Sequence, residues 1–165
     1  MIKKKICMLG SAAVGKTSLV RRYVESIFSD RYLATVGVKI DQKNVSVQEQ
    51  DVTLMLWDIE GINLSQRFQT AYLSGAAGYI LVADGTRKET FEEAIRVKEY
   101  VESVLGDVPF LLAINKVDMS AQWEVTTEDT KVLSDKGWLI IRTSAKDGVA
   151  VEEAFSNLAS GMLDN

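Results

Sequence analysis

The stretch Gly10-Ser11-Ala12-Ala13-Val14-Gly15-Lys16-Thr17 sets two glycines with four residues between them and follows the second with a lysine and a hydroxyl. This is G-x-x-x-x-G-K-[ST], a pattern whose residue types suit polyphosphate binding. The glycines let the backbone curl so that successive N–H groups point inward and form an anion nest. A helix starting at the lysine adds its unpaired N–H groups and its partial positive end. Lys16 then supplies a full charge to the β- and γ-phosphates, and the Thr17 hydroxyl is a ligand for Mg²⁺. A glycine-rich turn capping a helix would explain the glycines but not the Lys-Thr pair.

A second polar group, Asn115-Lys116-Val117-Asp118, suits base recognition. The Asp118 carboxylate offers two acceptors to the N1–H and 2-amino donors of guanine. Adenine presents an acceptor and a C–H there and leaves the charge unpaired, and sites built on such pairing reject the wrong ligand by roughly 10⁴-fold or more. Alone, N-K-x-D also suits a polar turn after a strand; behind a phosphate-binding loop it points to a guanine nucleotide.

The elements that must hold these groups are legible from hydrophobic period. Ile2 to Leu9, Val38 to Val47, Val52 to Asp58, Tyr79 to Asp84, Pro109 to Asn115 and Gly137 to Arg142 read as strands, the second and third forming a hairpin. The near-continuous apolar character of the later strands fits a sheet buried on both faces. Helices are expected over Lys16 to Ser26, from a capping box Thr86/Glu89 through Leu105, over Glu128 to Lys136 and over Val149 to Met162. Strand–helix alternation implies an open α/β sheet with helices on both faces, whose ligands bind beyond the carboxyl ends of the strands. Gly10 to Thr17, Asp58 to Gly61, Asn115 to Asp118 and Thr143 to Lys146 all fall at such ends.

Composition excludes several alternatives. A chain of 165 residues, 47% hydrophobic and 25% charged, suits one globular domain over residues 1–165. Nineteen Lys and Arg against 23 Asp and Glu leave a net charge of -4, without an electrostatic footprint for nucleic acid. The basic run Lys3 to Lys5 reads as a solvated strand edge. With no histidine and the single Cys7, no internal disulfide, Cys/His metal set or histidine-based triad can form. Cys7 reads as a small buried hydrophobe. No stretch is long and apolar enough for a membrane span, and the ending Met162-Leu163-Asp164-Asn165 contains no prenylation box. The expectation is a monomeric cytoplasmic domain with no visible lipid anchor, reaching membranes only peripherally, through a partner or a tail beyond these residues.

In order along the chain, G-x-x-x-x-G-K-T, Thr35 within Thr-Val-Gly-Val-Lys, Trp57-Asp-Ile-Glu-Gly61, Asn115-Lys-Val-Asp118 and Ser144-Ala-Lys146 resemble the five signature elements of Ras-like small GTPases. Tyr32-Leu-Ala-Thr-Val-Gly-Val, Trp57-Asp and Tyr72 through Ala76 are most similar to the Rab branch. The resemblance spans essentially the whole chain. It implies a P-loop NTPase of the small G-protein fold, with a mostly parallel six-stranded sheet. It implies GTP or GDP and Mg²⁺ as ligands. Gly10, Ala13, Val14, Gly15, Lys16, Thr17, Ser18, Phe28, Thr35, Gly61, Asn115, Lys116, Asp118, Ser144, Ala145 and Lys146 would bind nucleotide. Thr17, Thr35 and Asp58 would serve the metal, and Lys16, Thr35 and Gly61 the hydrolytic step. Phe28 and the Lys116 stem would flank the guanine, and the Ala145 N–H would read O6. Residues 29–38 and 59–73 would be the two switches that meet effectors, exchange factors and activating proteins.

The chain departs from that pattern where water is activated. The family places Gln after the switch-II glycine to orient the attacking water; Ile62 has no donor or acceptor. Glu60 replaces the common Ala, bringing negative charge toward the γ-phosphate unless it turns to a cation such as Arg67. Ala12 and Ala13 stand where Ras itself has glycines, and their methyls crowd the path of an arginine finger. Ile40 stands where many Rabs carry a phenylalanine, beside Trp57 and Tyr72. These features imply a guanine-nucleotide switch with slow intrinsic hydrolysis, or alternatively a GTP-binding interaction module with essentially none. A P-loop nucleotide or metabolite kinase would need an Arg-rich lid and has no use for N-K-x-D with S-A-K. Gln66 and Gln69 are the candidate substitutes for the missing Gln.

Overall fold

Along Ile6-Cys7-Met8-Leu9 every side chain is buried, yet successive residues point to opposite faces, so this strand must be covered on both sides. The computed structural model describes residues 2–29, 37–61 and 70–164. In chain order the elements are β1 (Ile2–Leu9), α1 (Lys16–Glu25), β2 (Val38–Val47), β3 (Gln50–Ile59), a short 3-10 helix (Thr70–Leu73), β4 (Gly78–Asp84), α2 (Lys88–Leu105), β5 (Phe110–Asn115), a second 3-10 helix (Val117–Gln122), α3 (Thr127–Asp135), β6 (Ile140–Arg142) and α4 (Val151–Leu163). The strands order as β2-β3-β1-β4-β5-β6. All neighbours are parallel except the β2–β3 hairpin, which pairs Ile40 with Trp57. The expected open, mostly parallel sheet of six strands is the observed one.

Two cores follow from the alternation. Ile6, Met8, Leu54, Leu56, Ile80 and Val82 pack under α1 and α4, where the Tyr23 and Phe155 rings stack 4.1 Å apart. Cys7, Leu9, Leu81, Ala83, Leu112 and Ile114 face the other way, onto Phe91, Ala94, Val97 and Val101 of α2 and Leu133 of α3. Cys7 is a buried hydrophobe as expected, and burial pushes its thiol up to about 11. Lys5 is more than a solvated edge residue: its ammonium lies 3.5 Å from the Trp57 ring centre and donates to the Ser74 carbonyl at 2.8 Å.

Several boundaries differ from the sequence reading. β6 begins at Ile140 rather than Gly137, because the Gly137 and Trp138 N–H groups donate back to Ser134 and Leu133 and close the end of α3. α4 begins at Val151, after Ala150 adopts a left-handed conformation and Val149 bridges to Ser144. The Thr86/Glu89 capping box does not form. Thr86 spends both its N–H and its hydroxyl on Asp84, and α2 starts one residue beyond Arg87. Its first free N–H, at Lys88, is capped from far along the chain by the Glu124 carboxylate at 2.9 Å. The capping box that does form joins Thr126 and Asp129 at the start of α3.

The segment carrying Glu124 is held by a close approach. A Cβ at Gly85 would lie 2.2 Å from the Trp123 ring, and the Gly85 carbonyl accepts from Glu124 and Val125. Gly85→Ala is therefore expected to destabilise the protein by about 1–3 kcal/mol, the usual cost of overpacking. Urea unfolding followed by Trp fluorescence reads this, as a lower midpoint with unchanged slope.

Candidate functional site

The loop between β1 and α1 closes on a backbone that only glycine fits. Gly15 has φ 103°, and a Cβ on it would lie 2.2 Å from the Asn115 amide nitrogen. Asn115, almost wholly buried at the end of β5, therefore docks directly on this loop. Its Nδ2 donates to the Val14 carbonyl at 3.1 Å, while its Oδ1 accepts from the Thr143 hydroxyl at 3.1 Å and the Ala145 N–H at 3.3 Å. One side chain thus ties together the phosphate motif, N-K-x-D and S-A-K. Parallel order puts β1 beside β4 and β4 beside β5, which brings their carboxyl ends to one rim.

Beside that junction, Asp118 is exposed, and its Oδ1 accepts from the Ser144 hydroxyl at 2.7 Å. Ser144 in turn accepts from the Asp147 N–H at 2.9 Å, so its single proton is committed to the carboxylate. Arg22 of α1 braces the same turn from behind, donating to the Ala145 carbonyl at 2.7 Å and to that of Lys146. Lys116 adopts a left-handed conformation, with its ammonium 3.2 Å from the Ala13 carbonyl and 2.8 Å from Asp84. Phe28 is half-buried against the core under α1 and α4. Ser18 lies in the first turn of α1.

In the phosphate loop the Lys16 ammonium donates to the carbonyls of Gly10 and Ser11 at 3.1 and 2.7 Å. Burial lowers it to about 8, further helped by the charge of Arg87 and opposed by Asp58. Thr17 Oγ1 lies 2.5 Å from Asp58 Oδ2. A hydroxyl and a buried carboxylate facing each other present the hard oxygens that suit Mg²⁺. Among the described residues no group of three or more His, Cys, Asp or Glu side chains converges on a point.

Gly61 meets the loop directly: a Cβ there would lie 2.6 Å from Ala12 Cα. The Glu60 carboxylate accepts from the Gly37 N–H at 3.4 Å, and the Glu60 N–H donates to the Gly37 carbonyl at 2.7 Å. Glu60 is thus bound to the backbone just before β2. Thr35, Ile62, Gln66, Arg67 and Gln69 lie outside the described residues. Sequence reading did not find Arg22, Asp84 or Arg87, and it held Thr143 only as the start of a polar cluster, without its bond to Asn115; the one available signal for the missed residues was an acidic residue, Asp84, at a strand's carboxyl end.

A strand, a glycine-bounded loop and a helix carrying Lys-Thr, joined through Asn115 to a polar turn, define a P-loop nucleotide-binding α/β protein. The Ras family model matches residues 5–164. Rab-13 from Canis lupus familiaris is 36% identical over 161 residues, covering 96% of this chain and 79% of the relative. Human Rab-3B is 33% identical over 165 residues, covering 97% and 74%. The chain belongs to the Ras family of small GTPases and is Rab-like. No helix among the described residues is long and apolar enough to cross a membrane.

Proposed function

We propose that this chain is a single G domain acting as a Mg²⁺-dependent guanine-nucleotide switch with slow intrinsic GTP hydrolysis. The observation that carries this reading is Asn115, whose side chain binds the phosphate loop through Val14 and the base-reading turn through Ala145. Base and phosphate recognition share that junction in this reading. In this reading Gly10 and Ala13 to Ser18 cradle the phosphates, Asp118 and Ala145 read the guanine edge, and Phe28 and Lys116 flank the ring. Mg²⁺ would be held by Thr17, Thr35 and Asp58 and would supply charge to the phosphate oxygens. Lys16 places its ammonium at the β- and γ-phosphates, while Thr35 and Gly61 hold the γ-phosphate and so tie residues 29–38 and 59–73 to nucleotide state. Effectors, exchange factors and activators would meet those segments on a cytoplasmic monomer bound only peripherally to membranes.

Ile62 favours a second reading, in which the chain binds GTP and partners but scarcely hydrolyses. Competition against labelled GDP tests the ligand: GTP should displace it with Mg²⁺ present and ATP should not. Equal displacement by both would remove the guanine reading. Single-turnover GTP hydrolysis, with Lys16→Ala as the control for contaminants, separates the slow enzyme from the inert module.

A further inference from the structure

Asp84 ends β4 and is 1% exposed, yet none of the five signature elements contains it. Its Oδ1 accepts from the Thr86 N–H at 2.9 Å and hydroxyl at 2.7 Å, and its Oδ2 faces Arg87 Nε at 3.1 Å and Lys116 Nζ at 2.8 Å. Burial alone would raise this carboxyl, but the bonds from Lys116, Thr86 and Arg87 outweigh burial and hold it below the usual range. It is a fixed anion carrying two cations.

Both cations reach on to the outer wall of the phosphate loop. Arg87 Nη2 donates to the Ala12 and Ala13 carbonyls at 3.2 and 3.0 Å, and Lys116 donates to Ala13 at 3.2 Å. The Arg87 side chain starts from a fixed backbone: its N–H donates to the Asp84 carbonyl at 2.9 Å, and its own carbonyl accepts from Thr90 at 2.7 Å. In a trans peptide the C=O and the following N–H point in opposite directions. Holding the Ala12 and Ala13 carbonyls outward therefore turns the Ala13 and Val14 N–H groups inward. Ala13 needs such a hold, because it is a non-glycine residue at φ 61°.

We propose that Arg87 is a positioning residue for polyphosphate binding: anchored on Asp84 and acting beside Lys116, it locks the Ala12–Ala13 and Ala13–Val14 peptide planes so that their N–H groups face the phosphate chain. The proposal rests on the nucleotide-binding reading above. A guanidinium is well suited to the task, since its planar fork serves the anion and two carbonyls at once.

The test uses the whole chain with Arg87→Ala, Arg87→Gln and Arg87→Lys, measuring affinities for GDP, GMP and IDP with Mg²⁺ by competition. Arg87 is 37% exposed, and thermal melts check that each variant folds. Arg87→Ala should weaken GDP about tenfold, the scale of a lost charge-assisted contact. The GDP-over-GMP ratio should fall with it, because GMP lacks the β-phosphate that the braced amides meet. The GDP-over-IDP ratio should not change, because it reports the base-reading turn. Arg87→Gln, a planar donor without charge, and Arg87→Lys, a charge without the fork, should each recover part of the loss. The inference is overturned if neither ratio moves, if both fall together, or if Gln is as poor as Ala. Wild-type protein that binds no GDP at all would overturn the nucleotide reading itself.

Discussion

Asp118→Asn is expected to lower GDP affinity on the order of 10³-fold and to create binding of xanthosine diphosphate. The scale is that of sites which pair buried polar groups with a chosen ligand and leave them unpaired with the wrong one. The direction follows from the hydrogen bonds around the carboxylate. Ser144 accepts from the Asp147 N–H and gives its own proton to Asp118 Oδ1. In the variant that proton still needs an acceptor, so the new amide turns its oxygen toward Ser144 and its NH₂ toward the base. Guanine meets that NH₂ with donors, whereas the 2-oxo group of xanthine accepts from it. Competition of GDP, XDP and ADP against labelled GDP measures the exchange. Unchanged preference for GDP would mean that Asp118 does not face the base edge. Ser144→Ala separates orientation from pairing: it should weaken GDP without admitting XDP.

The parts legible in the sequence are those whose signal is local. β1, β4 and β5 announce themselves as apolar runs, and the phosphate motif carries its own strand-loop-helix context. What escaped depends on sheet order. The Asp84–Arg87 brace exists only because β4 lies beside β1, which brings Arg87 over a loop 74 and 75 residues away in sequence. Thr86 fitted a helix cap by pattern, but Asp84 two residues earlier offers it a closer buried anion, and the cap of α2 passed to Glu124, 36 residues on. Asn115 was legible as part of N-K-x-D, whereas its part as the tie between three loops needed the register of β5 with β6 and the partner Thr143. Glu60 is the instructive case. Chemistry alone offered a repulsion of the γ-phosphate or an escape to a cation. Among the described residues the structure adds a further partner, the backbone N–H of Gly37, while Arg67 lies outside them.

That placement sharpens what Ile62→Gln should do. Hydrolysis by a Ras-type site depends on aligning water with the γ-phosphate and on stabilising charge spread over its oxygens. In the proposed reading Lys16 and the loop amides retain the second task, while Ile62 leaves the first without a polar group. Single-turnover GTP hydrolysis by the unmodified chain should therefore run at or below the slow Ras-type scale, on the order of 10⁻⁴ per second. Ile62→Gln should raise it roughly 10²-fold, the typical effect of one oriented group. Because the Glu60 carboxylate is engaged by Gly37, this single change should suffice, and adding Glu60→Ala should contribute little further. A gain seen only in the double variant would mean that the carboxylate leaves Gly37 when GTP is bound and repels the attacking water. Fast hydrolysis by the unmodified chain, unaltered by Ile62→Gln, would assign water placement to another side chain, with Gln66 the first to replace by Ala.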